Sequence, residues 1–211
     1  MSTWSDQNSL FLSLSVDRLL AITAYGEAAS EGAEGMMAVL NVIRNRATMV
    51  SEFGDQEIYS ITGSAYHAVI LKQKQFSMYN IGNAVRPIAE RMANNFDSEI
   101  QSNSTLNQAY NLALMLLNGQ LADNTGGATY YHATYVSPSW ASAMALLGKI
   151  GNHLFYSEPG VVIASVSPST YAAAVPEEGQ SQEAGVQVGS IIWFLIIGAG
   201  IGILVELIRR R

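Results

Sequence analysis

Residues 17–46, DRLLAITAYGEAASEGAEGMMAVLNVIRNR, decide the fold, because apolar side chains recur at helical spacing on both sides of a glycine-containing break. The first half predicts a helix that Asp17 caps and that places leucine and isoleucine on an inner face. The segment EGAEG interrupts this helix, and a second helix is predicted from Glu34 to about Met49. The stretch therefore predicts two helices joined by a tight break.

The remaining pattern adds a small β element to a helical bulk. Further helices are predicted over residues 64–72, 87–96, 106–118 and 139–147. Residues 127–136, GATYYHATYV, are dense in tyrosine and threonine and predict a strand, and NHLFY at 152–156 predicts a second one. The predicted class is α+β, mainly helical.

Composition excludes several kinds of site. The 211 residues include no cysteine, so disulfides, thiolate zinc sites, cysteine nucleophiles and iron–sulfur clusters are excluded. A formal net charge of −6 argues against a general nucleic-acid binder, which usually presents a basic face. The chain carries neither a P-loop nor a GxGxxG motif, and no cofactor is expected.

The C-terminal segment has the composition of a membrane helix. Residues 188–205, VGSIIWFLIIGAGIGILV, are 18 residues without a charge, long enough for about 27 Å of helix. Trp193 at one end and the arginines at 209–211 fit interfacial anchoring, so residues 188–208 are expected to contact lipid. Gly198 and Gly202 form a GxxxG pair through which two copies could associate. A buried core helix is the alternative.

Three regions follow from these patterns. Residues 1–157 are predicted to form the globular body, and residues 188–211 the membrane segment with a basic tip. Between them, residues 158–187 are rich in Pro, Ser, Ala and Gln and are typical of a linker. The N-terminus lacks the basic region of a secretory signal.

Glu27 is the candidate for acid chemistry. Cleavage of a glycosidic bond needs a carboxylic acid that protonates the leaving oxygen, and an apolar pocket raises its pKa toward the working pH. Glu27 lies late in the first predicted helix among alanines, and Glu31 follows one turn later, where like-charge repulsion would raise the pKa further. The alternative is that Glu27 is an ordinary solvated helix residue.

The histidines and aromatic residues leave more than one interpretation open. His67, His132 and His153 are far apart and form no HExxH motif, which disfavours a metal site without removing a metal-dependent amidase as an alternative. Aromatic residues concentrate around the predicted strands, where they would line a sugar-binding groove or fill the core.

Short motifs in a fixed order indicate a family. They are Gly26-Glu27-Ala28 with Glu31, Glu34-Gly35, Ala38-Val39, Asn45-Arg46, Gln75-Phe76-Ser77, Gly127-Ala128-Thr129 with Tyr131-His132-Ala133, Pro138 with Trp140-Ala141, and Ile150-Gly151-Asn152-His153 with Phe155-Tyr156. Over about residues 19–156 the chain resembles the SleB-type cell wall hydrolase family. It departs from that pattern at Ala29-Ser30, where the family has Arg-Gly, and at Tyr130, where it has His.

The resemblance implies a lysozyme-like or lytic-transglycosylase-like domain that cleaves peptidoglycan between N-acetylmuramic acid and N-acetylglucosamine. It implies that Glu27 acts as the single catalytic acid and base. A transglycosylase is favoured over a hydrolase, because Glu31 on the same helix face is poorly placed as a second catalytic carboxylate. The expected substrate-binding residues are Glu31, Gln75, Phe76, Tyr131, His132, Trp140, His153 and Tyr156.

The cellular setting has two interpretations. A wall-cleaving enzyme with a C-terminal anchor and no leader suits the virion of a membrane-containing phage, and it also suits a bacterial inner membrane. A body that kept the fold but only binds peptidoglycan is the alternative from another functional class.

Overall fold

The computed structural model of the protein describes residues 3–160. Almost all of the predicted linker and the whole predicted membrane segment therefore lie outside the described residues. Within residues 3–160 no helix combines the length and the apolar character needed to cross a membrane.

The described chain is mainly helical, with one small sheet, which confirms the α+β class. The helices are Trp4–Gln7 (α1), Ser9–Leu12 (α2), Val16–Ala28 (α3), Gly32–Ala47 (α4), Val50–Phe53 (α5), Gln56–Thr62 (α6), Ala65–Ile70 (α7), Arg86–Asn94 (α8), Phe96–Ser102 (α9) and Ser104–Leu117 (α10). The strands are Tyr130–Ala133 (β1), Ala145–Ile150 (β2) and His153–Ser157 (β3).

Helices α3, α4 and α10 pack against one another and form the centre of the core. The predicted cap of α3 is wrong by two residues, because the helix begins after Ser15. Asp17 instead lies in the first turn, where its carboxylate accepts a 2.9 Å hydrogen bond from the Tyr110 hydroxyl of α10. The residue expected to start a helix therefore also ties two helices together.

The break between α3 and α4 is sharper than the sequence pattern indicated. A single 3-10 turn, Ala29–Glu31, separates the two helices, and Gly32 takes a φ of +67°, which favours glycine. Gly35 in the first turn of α4 has no side chain, so the side chain of Glu31 lies directly against it. The break thus holds the end of α3 and the acidic side chain of Glu31 beside the start of α4.

The sheet has the antiparallel order β1-β3-β2, with Tyr131 opposite Phe155 and Ile150 opposite His153. The helix predicted over 139–147 is wrong, since a short 3-10 turn at Ala141–Ala143 leads directly into β2. Backbone pairing with β3 outweighs the helical preference of alanine and leucine in this segment. Gly151, with a φ of +53°, makes the two-residue turn of the hairpin possible.

The polar edge of α4 fixes the loop that enters β1. Asn45 Nδ2 donates to Asp123 Oδ2 at 3.1 Å and to the carbonyl of Ala128 at 3.0 Å. Asp123, itself buried, also accepts hydrogen bonds from the backbone amides of Thr125 and Gly127. The position of β1 is therefore set by side chains of a helix about 80 residues earlier in the chain.

Candidate active site

Glu27 lies in the last turn of α3 and meets the sheet there. The buried hydroxyl of Tyr131, on β1, donates a 3.2 Å hydrogen bond to Glu27 Oε2. Glu27 as a whole residue is only partly buried, although its carboxyl is largely surrounded by protein. This combination suits a group that exchanges a proton with a ligand.

Burial raises the pKa of Glu27 to about 8, although the hydrogen bond from Tyr131 and the positive charge of Arg46 both oppose the increase. Like-charge repulsion from Glu31, which the sequence suggested as a cause, does not contribute. Glu27 is therefore mostly protonated at neutral pH, as a general acid must be.

Arg46, near the end of α4, lies next to this acid and is fully buried. Its Nε donates to the carbonyl of Thr129 at 2.6 Å, its Nη1 donates to Gln75 Oε1 at 2.8 Å, and its guanidinium lies over the ring of Phe53. Burial lowers the pKa of Arg46 to about 10, so the side chain stays cationic at neutral pH. The Asn45-Arg46 motif alone indicated no role for Arg46 in the site.

Glu31 is held by the hairpin between β2 and β3. Its Oε2 accepts a 2.9 Å hydrogen bond from the backbone amide of Asn152, and its Oε1 accepts a 3.0 Å bond from the side-chain amide of the same residue. Glu31 was predicted to bind substrate. In the structure it forms a brace, a pair of hydrogen bonds that connects the α3–α4 break to the sheet.

The sheet divides the predicted aromatic site residues between its two faces. Tyr131, His153 and Phe155 share the face that meets Glu27, with Tyr131 stacked on Phe155 at 5.6 Å and edge-on to His153 at 5.4 Å. His153 is partly exposed, and burial lowers its pKa, which favours the neutral ring at neutral pH. Of the predicted residues, Tyr131 and His153 therefore lie on the same side of the sheet as the acid.

His132, Tyr156 and Trp140 form a cluster on the opposite face of the sheet, where the ring of His132 stacks on Tyr156 at 5.2 Å and meets Trp140 at 5.5 Å. His132 Nδ1 lies 2.9 Å from the carbonyl of Ala133 and must donate to it, so in the neutral ring Nε2 accepts from the Tyr156 hydroxyl at 3.0 Å. The structure does not bring these three predicted residues to Glu27.

Gln75 and Phe76 are buried rather than displayed in a groove. Gln75 accepts from Arg46 and donates to the carbonyl of Phe53 at 3.2 Å. Phe76 is 1% exposed and belongs to the core, so its ring offers no face to a sugar. Gln75 therefore holds Arg46 by a hydrogen bond, and Phe76 contributes to the core.

Tyr135 is an exposed aromatic residue near Glu31 that no sequence motif assigned to the site. Its side chain is 55% exposed, and partial burial together with the charge of Glu31 raises its pKa, which places it near the Glu31 brace. The preceding residue, Thr134, donates its amide to the carbonyl of Asn152 at 2.8 Å. Tyr135 lies just beyond the end of β1, where the alternation of strand residues stops, and this position was the sequence signal that could have marked it as exposed.

The described residues contain no group of three or more His, Asp or Glu side chains arranged to hold a metal ion. The Nε2 of His67, for example, lies 3.0 Å from the carbonyl of Leu14, in the segment between α2 and α3.

Comparison with known proteins tests the family that the sequence motifs indicated. The model of the cell wall hydrolase family matches residues 30–156, more than half of the chain. The chain belongs to the cell wall hydrolase family. This confirms the SleB-type resemblance that the motifs indicated. No curated protein and no solved structure matches the chain significantly.

The match to the cell wall hydrolase family begins three residues after Glu27. It includes the two residues that act on the acid, Arg46 and Tyr131, and the brace formed by Glu31 and Asn152. The role of Glu27 is therefore argued from the geometry of the site. Membership of the family is shown by residues 30–156, which do not include Glu27.

The raised pKa of Glu27 predicts a pH-dependent stability. Between pH 4.5 and about 8 the folded protein binds the Glu27 proton more tightly than the unfolded chain does, so this group makes stability fall as pH rises. Glu27→Gln should remove the effect and stabilise the protein at pH 9 by roughly 2–4 kcal/mol. Denaturant unfolding at pH 5 and pH 9 measures the change. If the free energies of unfolding of variant and wild type differed by the same amount at pH 5 and pH 9, the prediction would be contradicted.

Proposed function

We propose that the protein cleaves the glycan strand of bacterial peptidoglycan, with Glu27 as its single catalytic acid and base. The observation that carries the proposal is a partly buried glutamate at the junction of α3 and β1, whose carboxyl accepts a hydrogen bond from Tyr131. Its raised pKa, about 8, keeps it protonated at neutral pH. Membership of the cell wall hydrolase family supports peptidoglycan as the substrate.

In the first step Glu27 donates its proton to the oxygen that links N-acetylmuramic acid to N-acetylglucosamine. The bond from C1 to that oxygen breaks, and positive charge develops at C1 and the ring oxygen. Glu27 is left as a carboxylate, which the Tyr131 hydroxyl stabilises by its hydrogen bond and Arg46 by its charge.

In the second step the Glu27 carboxylate accepts the proton of the muramoyl C6 hydroxyl while O6 bonds to C1. The product is a 1,6-anhydro end, and Glu27 regains its proton for the next cycle. The contacts of Glu31 support this route over a two-carboxylate hydrolysis. The hydrogen bonds that its oxygens accept from Asn152 direct the Glu31 carboxylate toward the β2–β3 hairpin, so it is poorly placed to act on the opposite face of the sugar from Glu27.

Glu27→Gln is expected to abolish the release of soluble muropeptides from purified sacculi, because the amide has no proton of comparable acidity to donate. Glu34→Gln is the matched control, since Glu34 is an exposed glutamate in the first turn of α4, and it should retain activity. Release by Glu27→Gln at the wild-type rate would rule out the proposed role. Mass spectrometry of the wild-type products separates the two chemistries, since anhydro ends indicate a transglycosylase and reducing ends a hydrolase.

Tyr135 is proposed to contact a sugar next to the one being cleaved, because an exposed aromatic ring beside the site suits the apolar face of a pyranose. Tyr135→Ala should weaken binding to sacculi about ten-fold, as the loss of one well-placed ring costs on the order of 1–1.5 kcal/mol. Tyr59→Ala, at a 39% exposed tyrosine of α6, is the control and should bind normally. Equal binding by both variants in a pull-down assay would exclude this contact.

We also propose that residues 188–208 anchor the enzyme to a lipid membrane, in a phage virion or a bacterial envelope. The support is the run of 18 uncharged residues followed by the three C-terminal arginines. The full chain should stay with membranes after alkaline carbonate extraction. Replacing both Leu195 and Ile196 by Asp should release it, because each charge at the centre of a span costs about 2.5–3.5 kcal/mol. Release of the wild-type chain would refute the anchor.

A further inference from the structure

Arg46 is a buried cation without an ion pair. Its side chain is 0% exposed, and no carboxylate of the described residues lies within ion-pair distance of it. Its Nη2 is also buried without a hydrogen-bond partner among the described residues. Burying a guanidinium in this state costs more free energy than its bonds to Thr129 and Gln75 and its contact with Phe53 are expected to return. A purely structural role does not account for it.

The contacts of Arg46 lead directly to the catalytic acid. The 2.6 Å bond from Nε holds the carbonyl of Thr129, the residue before β1. Tyr131 lies two residues further along the same backbone and donates to Glu27. The position of the Tyr131 hydroxyl therefore depends on where Arg46 fixes the start of the strand.

His153 of β3 lies on the face of the sheet that meets Glu27, and burial lowers its pKa, which favours the neutral ring. Among the described residues, three further ionisable groups interact electrostatically with Glu27. They are Arg46 from α4, Tyr131 from β1, and Tyr79 from the 3-10 turn Ser77–Tyr79, whose hydroxyl lies 2.7 Å from that of Thr23. Burial raises the pKa of both phenols, so both are neutral. Among these groups Arg46 supplies the charge, and Glu27 is the carboxylate whose charge acts on Arg46 in return.

Resting on the proposed function, we propose that Arg46 is a positioning residue for Glu27. It fixes the strand that presents Tyr131, and it supplies the positive charge that stabilises Glu27 once its proton has moved to the substrate. Without that charge, Glu27 is a weaker acid and ionises at higher pH. The alkaline limb of the activity profile, where Glu27 loses its proton, then moves to higher pH while the maximal rate falls.

The test is direct titration of the Glu27 carboxyl by 13C NMR, in the full chain in detergent micelles, with Glu27→Gln to assign the signal. Arg46→Gln should lower the acid dissociation constant of Glu27 at least ten-fold, and Arg46→Lys should restore most of it. Gln75→Met is the matched control, because it removes a hydrogen-bond partner of Arg46 but no charge. It should leave the dissociation constant within two-fold of wild type.

An unchanged dissociation constant in folded Arg46→Gln, or an equal shift in Gln75→Met, overturns the proposal. If Arg46→Gln does not fold, Arg46→Lys decides. Retained charge predicts a dissociation constant within ten-fold of wild type together with a lower unfolding temperature, and a larger shift overturns the proposal. The titration needs no substrate. An inactive protein with the expected shift would defeat the proposed function alone, and an active protein without the shift would defeat the role of Arg46 alone.

Discussion

The hydroxyl of Tyr131 reaches the carboxyl of Glu27 across the junction between helices and sheet, and much of the fold serves to keep that distance at 3.2 Å. On the helical side, a single 3-10 turn ends α3 next to the acid and starts α4 immediately afterwards. On the sheet side, Asn45 and Arg46 of α4 hold the backbone that enters β1. Helix α4 therefore begins beside the segment that carries Glu27 and also holds the backbone that leads to Tyr131.

Opposing electrostatic effects meet at this junction. Removing a carboxyl from water favours its neutral form, whereas a hydrogen-bond donor and a nearby cation favour its ionised form. Burial is the larger effect at Glu27, but the other two leave its pKa at about 8. Glu27 therefore keeps its proton at neutral pH, yet its pKa is lower than burial alone would make it.

Much of the helical framework followed from apolar spacing, which is a local signal. Local pattern made Glu27 only a candidate, and the order of the family motifs singled it out. Strand β2 did not follow from local pattern, since ALLGKI has ordinary helix-forming residues and becomes a strand only through pairing with β3. The division of the aromatic residues between two faces depends on the register of Tyr131 with Phe155, which short-range patterns leave open. The partner of Glu31 lies 121 residues away, beyond any local signal.

That separation has a consequence for synthesis. The contact between Glu31 and Asn152 joins residues near opposite ends of the described body, and Tyr131 lies 104 residues after Glu27. A growing chain emerges from its N-terminus, and contacts between distant residues form late in folding. Until β1 has formed, Glu27 therefore lacks the hydrogen bond from Tyr131. The surroundings of Glu27 are thus completed only after almost the whole body has left the ribosome.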